Sequence, residues 1–143
     1  MNKPYDTLSG LEGILDNMKK DYDQALEKIK NIAEKLAKGK YEKISTSKLR
    51  NLYAHIQAIK AKFQAQSMPE KNLTGEEIRE IKRLRYLVAY IAGKEGKKNK
   101  YFENFVGKVD NVIKAINTKE DFELFQQFME ALIAYHRFYG GQE

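Results

Sequence analysis

The chain has 143 residues, no cysteine, no tryptophan and two histidines, and its formal net charge is +6. This composition excludes disulfides, a cysteine nucleophile, and a metal centre rich in cysteine or histidine. No apolar run reaches the roughly 18 residues of a membrane-spanning helix, and the first residues lack the apolar segment of a secretory signal, so we expect a cytoplasmic protein without a membrane partner.

The periodicity of the apolar residues predicts five amphipathic helices and no strand. The first helix is expected over residues 11–37, with Gly39 as its C-terminal stop. The second is expected over residues 47–65 and is capped by Ser45 or Thr46.

The third helix begins after a loop around Pro69. Thr74 and Glu77 have the spacing of a capping box, and the helix is expected to run to about Gly93. The stretch 93–100 is then predicted to be a basic loop.

The last two helices are predicted over residues 101–116 and from Thr118 to just before Gly140. The apolar arc of the last helix covers well over half of its circumference, which is typical of a helix buried on several sides or packed on a partner chain. We therefore expect a single all-α domain over residues 1–143, a five-helix bundle with an apolar C-terminal helix at its centre.

The positive charge is concentrated in two regions. Residues 40–62 carry a net charge of +5 and residues 79–100 a net charge of +6, so the rest of the chain has a net charge of −5. A basic stripe of this kind attracts polyanions such as nucleic acids. The alternative is a lysine-rich, solvated surface that only maintains solubility.

One face of the third helix combines cations with aromatic rings. The spacing of Arg79, Arg83, Tyr86 and Tyr90 places them within about 60° of one another. Guanidinium groups bind phosphates and tyrosine rings pack on sugars or bases, so this face suits a flexible nucleic-acid strand. The alternative is that both tyrosines pack under another helix. Arg85 falls inside the apolar arc, and we expect it to be paired or to reach the surface along its stem.

The first turn of the second helix combines the hydroxyls of residues 45–47 with Lys48 and Arg50. Together with unpaired backbone N–H groups, these side chains would suit a phosphate. An ordinary N-cap explains the same residues.

Neither histidine has a carboxylate at the spacing that would orient it as a base or a metal ligand. We expect His55 at the surface, with nucleic-acid contact as an alternative, and His136 either packed or in contact with a partner. Glu130 and Arg137 share a face, which indicates a charge network or a partner contact. No nucleophile, metal or cofactor motif is present, so we predict a non-catalytic protein without a cofactor.

Three segments, Ser45–Tyr53, Leu87–Lys94 and Phe128–His136, resemble the motifs of a known family. They are similar to those of the small α-helical subunit of type III-A CRISPR–Cas effector complexes, the Csm complexes. The resemblance covers about residues 40–140, and its last segment is the most specific. The middle motif usually ends in arginine, and Lys94 here would replace a bidentate contact by a single point charge.

The resemblance implies that several copies line up beside the backbone subunits that hold the guide RNA, and that they form part of the groove for the target RNA. Other subunits of that family's complex carry the nuclease and signalling activities. By motif position, Lys48 and Arg50 would contact phosphates, and Lys94 would take the place of the family's arginine. The charge pattern adds four further cations: Arg79, Arg83, Lys97 and Arg137.

The expected partners are therefore guide RNA and target RNA, the other subunits of the effector complex, and copies of the same chain, including a homodimer in isolation. The alternative function is a helical protein-interaction module that homodimerises through its C-terminal helix without binding nucleic acid.

Overall fold

In this computed structural model, the described part of the chain comprises residues 7–66 and 72–142, without the side chains of 64–66 and 94–97. It contains a short 3₁₀ helix (Leu11–Gly13) followed by seven α-helices. The predicted loop around Pro69 also lies outside the described residues. The all-helical class is confirmed for the described residues. In chain order the helices are α1 (Ile14–Lys20), α2 (Tyr22–Lys38), α3 (Thr46–Gln66), α4 (Gly75–Lys82), α5 (Leu84–Lys98), α6 (Lys100–Lys114) and α7 (Lys119–Phe138).

The predicted count of five helices is not confirmed, because two of the predicted helices are interrupted. The first is divided at Asp21, whose extended backbone ends α1 and whose carboxylate caps α2 by accepting a hydrogen bond from the Gln24 N–H (3.1 Å). The third is interrupted at Arg83, although the hydrogen bond from the Arg83 N–H to the Arg79 carbonyl remains (3.1 Å). α4 and α5 therefore follow one another with only a local irregularity.

The basic loop predicted at 93–100 is wrong. α5 continues through Gly93 to Lys98, and Asn99 caps α6 by accepting a hydrogen bond from the Phe102 N–H (2.9 Å). Lysine and glutamate are good helix formers, and they carry the helix across two glycines that each disfavour it by about 1 kcal/mol.

The predicted caps are present. Ser45 accepts a hydrogen bond from the Lys48 N–H (3.2 Å), and capping boxes begin α4 at Thr74 and α7 at Thr118. Gly39 follows the last residue of α2. These local side-chain acceptors satisfy backbone N–H groups that the first turn of a helix leaves without partners.

The last helix contributes one buried face to the core of the bundle. α7 packs against α1, α2 and α3, and its buried apolar residues include Phe125, Phe128 and Leu132. Its buried residues also include three polar ones: Asp121, Gln126 and His136. One face of the C-terminal helix is thus covered by helices of the same chain, and the opposite face is exposed to solvent.

α3 and the α4–α5 segment run in opposite directions along one side of the bundle. The ammonium group of Lys48, near the start of α3, bonds to the Ile91 carbonyl (3.2 Å), whereas Lys62, near the end of α3, lies 3.3 Å from Glu80. On its other side α5 packs against α6. Within the described residues, none of the helices combines the length and apolarity needed to cross a lipid bilayer.

Candidate nucleic-acid interface

A shallow groove of about 240 Å³ separates α3 from the α4–α5 segment. His55 and Ile59 line it from α3, and Leu87 lines it from α5. Its charged lining consists of two cations and one carboxylate: Lys62, Arg83 and Glu80. The expected surface position of His55 is thus on the wall of this groove, where its side chain is half-buried.

Glu80 lies between the two cations of the groove. Its Oε1 is 3.3 Å from Lys62 Nζ, and its Oε2 is 3.3 Å from Arg83 Nη1. The hydrogen bond from Lys62 and the attraction of both cations lower the pKa of Glu80. The side chains of Lys62 and Arg83 are 50% and 53% exposed, so both remain accessible from solvent.

The aromatic side chains of α5 are exposed. Tyr86 is 59% exposed and Tyr90 is 86% exposed, so the alternative in which both pack beneath another helix is wrong. The Nε of Arg83 donates to Tyr86 Oη (2.8 Å), and this bond together with the Glu80 carboxylate raises the pKa of Arg83. Arg79 is exposed as well, so the predicted combination of cations and rings faces the solvent.

Lys48 belongs to the same side of the molecule. Its ammonium group bonds to the Ile91 carbonyl, one residue beyond Tyr90, and its side chain is half-buried. We call the surface formed by α3 and α4–α5 the α3–α5 face. Its described members are Lys48, His55, Lys62, Arg79, Arg83, Tyr86 and Tyr90.

Four predicted contacts are not among the described members of this face: Arg50, Lys94, Lys97 and Arg137. Arg50 is two residues from Lys48, which places it about 200° away around α3. Arg137 is exposed on α7, a separate helix. Lys94 and Lys97 belong to α5, but their side chains lie outside the described residues.

Arg85 is paired, which confirms one of the two expectations for this residue. Its Nε and Nη2 donate to the two carboxylate oxygens of Asp110 at 2.8 Å and 3.2 Å. The bond to Asp110 raises the pKa of Arg85. This bidentate pair joins α5 to α6 and leaves Arg85 with a structural partner.

His136 is fully buried and packed within the chain, which confirms the packed interpretation. Its Nε2 lies 3.2 Å from the Leu36 carbonyl and 3.0 Å from the Ile44 carbonyl, and its Nδ1 lies 3.2 Å from Thr46 Oγ1. Because carbonyls only accept, Nε2 carries a proton in this arrangement, and Nδ1 lies within hydrogen-bond distance of the Thr46 hydroxyl. The imidazole therefore holds the start of α3 against the end of α2.

The sequence prediction omits Lys62 as a contact. Its spacing of 14 residues from Lys48, about four helical turns, already places the two side chains on one side of α3. The pairing of Glu80 with Lys62 depends on how α3 packs against α4, which the local sequence pattern does not predict. Among the described residues, no cluster of three or more His, Cys, Asp or Glu side chains could hold a metal ion.

Comparison with known proteins shows that the chain matches one protein family. A family model with the description Csm2 Type III-A matches residues 23–142, well over half of the chain. The match includes the whole α3–α5 face and all three motif segments. Searches of curated proteins and of solved structures returned no match.

Proposed function

Because the chain belongs to the Csm2 type III-A family, the small subunit of the type III-A CRISPR effector complex, we propose that it binds guide or target RNA through the α3–α5 face. The observation that carries this proposal is the placement of four cations on one side of the molecule: Lys48, Lys62, Arg79 and Arg83. We further propose that the subunit is non-catalytic, acts in the cytoplasm in antiviral defence, and lines the RNA groove beside the other subunits.

Such a face would bind RNA without reading its sequence. Lysine and arginine side chains on a helix surface contact phosphates, which are the same at every nucleotide. Each phosphate contact displaces counterions, so the logarithm of the association constant falls with the logarithm of salt concentration, by about 0.7 per contact for a single strand. Four contacts would give a slope of about −3.

A second candidate is the protein-interaction module that dimerises through α7. Its support is Phe138, which is 76% exposed at the end of that helix. Two phenylalanines earlier in α7, Phe125 and Phe128, are fully buried within the chain and expose no surface to a partner. More exposed residues of the described chain therefore support the RNA proposal than the dimer.

The test is a salt titration of binding to single-stranded RNA, followed by fluorescence anisotropy. The variant Arg79→Ala/Arg83→Ala removes two exposed cations from the α3–α5 face. We expect it to weaken binding equally for unrelated sequences and to reduce the steepness of the salt dependence by about 1.4, because two phosphate contacts are lost. The matched control is Lys20→Ala/Lys30→Ala, which removes the same charge from α1 and α2.

Light scattering on the same samples separates the two candidates. A flat salt response of the unmodified protein, or an equal loss of binding in the control variant, would contradict the RNA proposal. A stable dimer without RNA affinity would favour the interaction module instead.

A further inference from the structure

α5 carries two aromatic side chains, Tyr86 and Tyr90, and both are exposed. Exposures of 59% and 86% leave both rings largely in contact with water, although a tyrosine ring offers a large apolar area. Ring faces left open beside a row of cations are the usual composition of a surface that binds single-stranded nucleic acid.

The spacing of the two tyrosines suits a single base. They are four residues apart on one helix, so their attachment points are separated by about 6 Å along the helix axis. Bases in a stack are about 3.4 Å apart, so a base between two rings requires a ring separation of about 7 Å. The spacing of the two attachment points is therefore close to the separation that one base requires.

The neighbours of the two rings favour this use. The hydrogen bond from Arg83 Nε to Tyr86 Oη (2.8 Å) restricts the orientation of the Tyr86 ring. Gly93 lies one turn beyond Tyr90, and a Cβ at that position would meet open space. The space beside Tyr90 is therefore not filled by residue 93. The exposed Arg79 and Arg83 lie on the same face, where a phosphate would bind Arg83 in competition with Glu80.

We propose that Tyr86 and Tyr90 form a stacking site for one unpaired RNA base. This inference rests on the proposed RNA binding and specifies its substrate as a strand with an accessible base. A base within a duplex is already paired and stacked on both faces, so it does not enter the site without leaving the helix. The face thus favours single-stranded RNA, or a nucleotide displaced from a duplex, over a continuous duplex.

The experiment compares ring-removing and ring-preserving variants. Tyr86→Leu/Tyr90→Leu removes both π faces, Tyr86→Phe/Tyr90→Phe keeps them, and Tyr41→Leu is a matched control at a 75% exposed tyrosine in the loop after α2. The probes are a single-stranded RNA that contains 2-aminopurine, the same strand made without bases, and an RNA duplex of equal length.

For the base-containing single strand, we expect the leucine pair to weaken binding by about tenfold and to abolish the quenching of 2-aminopurine fluorescence. The salt dependence should stay unchanged, because no phosphate contact is lost. The phenylalanine pair loses the hydrogen bond from Arg83 but keeps both ring faces, so it should retain most of the binding and the quenching that the leucine pair loses. Tyr41→Leu should bind like the unmodified protein, and the strand without bases should bind all variants equally.

Failure of this inference is distinct from failure of the proposed function. If the unmodified protein binds RNA with a steep salt dependence but the leucine pair binds the base-containing strand equally well, the stacking site is refuted and the RNA-binding face remains. An unmodified protein without any RNA affinity refutes both. A change in oligomeric mass caused by the leucine pair would assign the tyrosines to a protein contact and would also refute the stacking site.

Discussion

At the level of single residues, Glu80 controls how much positive charge the α3–α5 face presents. Its carboxylate lies 3.3 Å from both Lys62 Nζ and Arg83 Nη1 and is 22% exposed. An incoming phosphate would have to compete with this carboxylate for the same two donors. Because both cations are half-exposed and ion pairs at the surface contribute little to stability, Glu80 can be altered without endangering the fold.

Glu80→Gln is expected to increase RNA affinity by about two- to fivefold at low salt, because one repulsive charge is removed near the phosphates and two cations are released. Binding titrations at several salt concentrations measure the effect, which should fade as salt rises. Glu123→Gln, an exposed carboxylate on α7, makes the same charge change at a separate helix and should have little effect. Equal gains in both variants would mean that only the net charge matters.

At the level of elements, the start of α7 depends on one carboxylate. Asp121 accepts hydrogen bonds from Lys19 Nζ (2.7 Å) and from the backbone N–H groups of Asn117 (3.0 Å) and Thr118 (3.2 Å). Burial by itself would raise the pKa of Asp121, but these donors outweigh it and hold that pKa below its ordinary value. The ionised form is therefore the one that the fold stabilises.

Asp121→Asn is expected to lower the free energy of unfolding at pH 7 by about 1–2 kcal/mol, since a charged cap and its partners are lost. A depressed folded-state pKa gives stability that is present above the unfolded value, about 3.9, and is lost as the pH falls through the folded value. Urea unfolding at pH 7 and below pH 4 should show the difference between the two proteins shrinking in acid. A difference that grows in acid would contradict this assignment.

These elements show what local sequence can and cannot predict. Ser45, Thr74 and Thr118 were identifiable because a cap involves only neighbouring residues. The break at Asp21 was missed because the apolar spacing from Met18 to Tyr22 continues across it. Helical spacing likewise placed Arg79, Arg83, Tyr86 and Tyr90 on one face, whereas the pairing of Lys62 with Glu80 arises only when α3 meets α4.

At the level of the whole molecule, His136 connects segments that are distant in sequence. It bonds to Leu36 and Ile44, and its own carbonyl accepts a hydrogen bond from the Gly141 N–H (2.8 Å). The Thr46 N–H in turn donates to the Gln142 carbonyl (2.7 Å). The segment after α7 therefore secures the first turn of α3, which carries Lys48.

Gly141→Ala is expected to destabilise the protein by about 1–3 kcal/mol, because the added methyl group would overlap the His136 ring. The amide of Thr46 should also exchange its hydrogen faster, as its bond to Gln142 weakens. Gly107→Ala is the control: its Cβ would meet open space on α6, so a gain of up to about 1 kcal/mol is expected. Thermal unfolding and hydrogen exchange measure both, and equal stability of the two variants would argue against the tight contact.

The pairing of α2 with α7 joins parts of the chain that are synthesised far apart in time. Tyr22 bonds to Gln127 across 105 residues, and Leu36 bonds to His136 across 100. At a translation rate of roughly 5–20 residues per second, α2 leaves the ribosome about 5–20 s before the helix that covers its apolar side. The yield of folded protein in the cell therefore depends on whether the nascent chain avoids aggregation until α7 has been synthesised and covers α2.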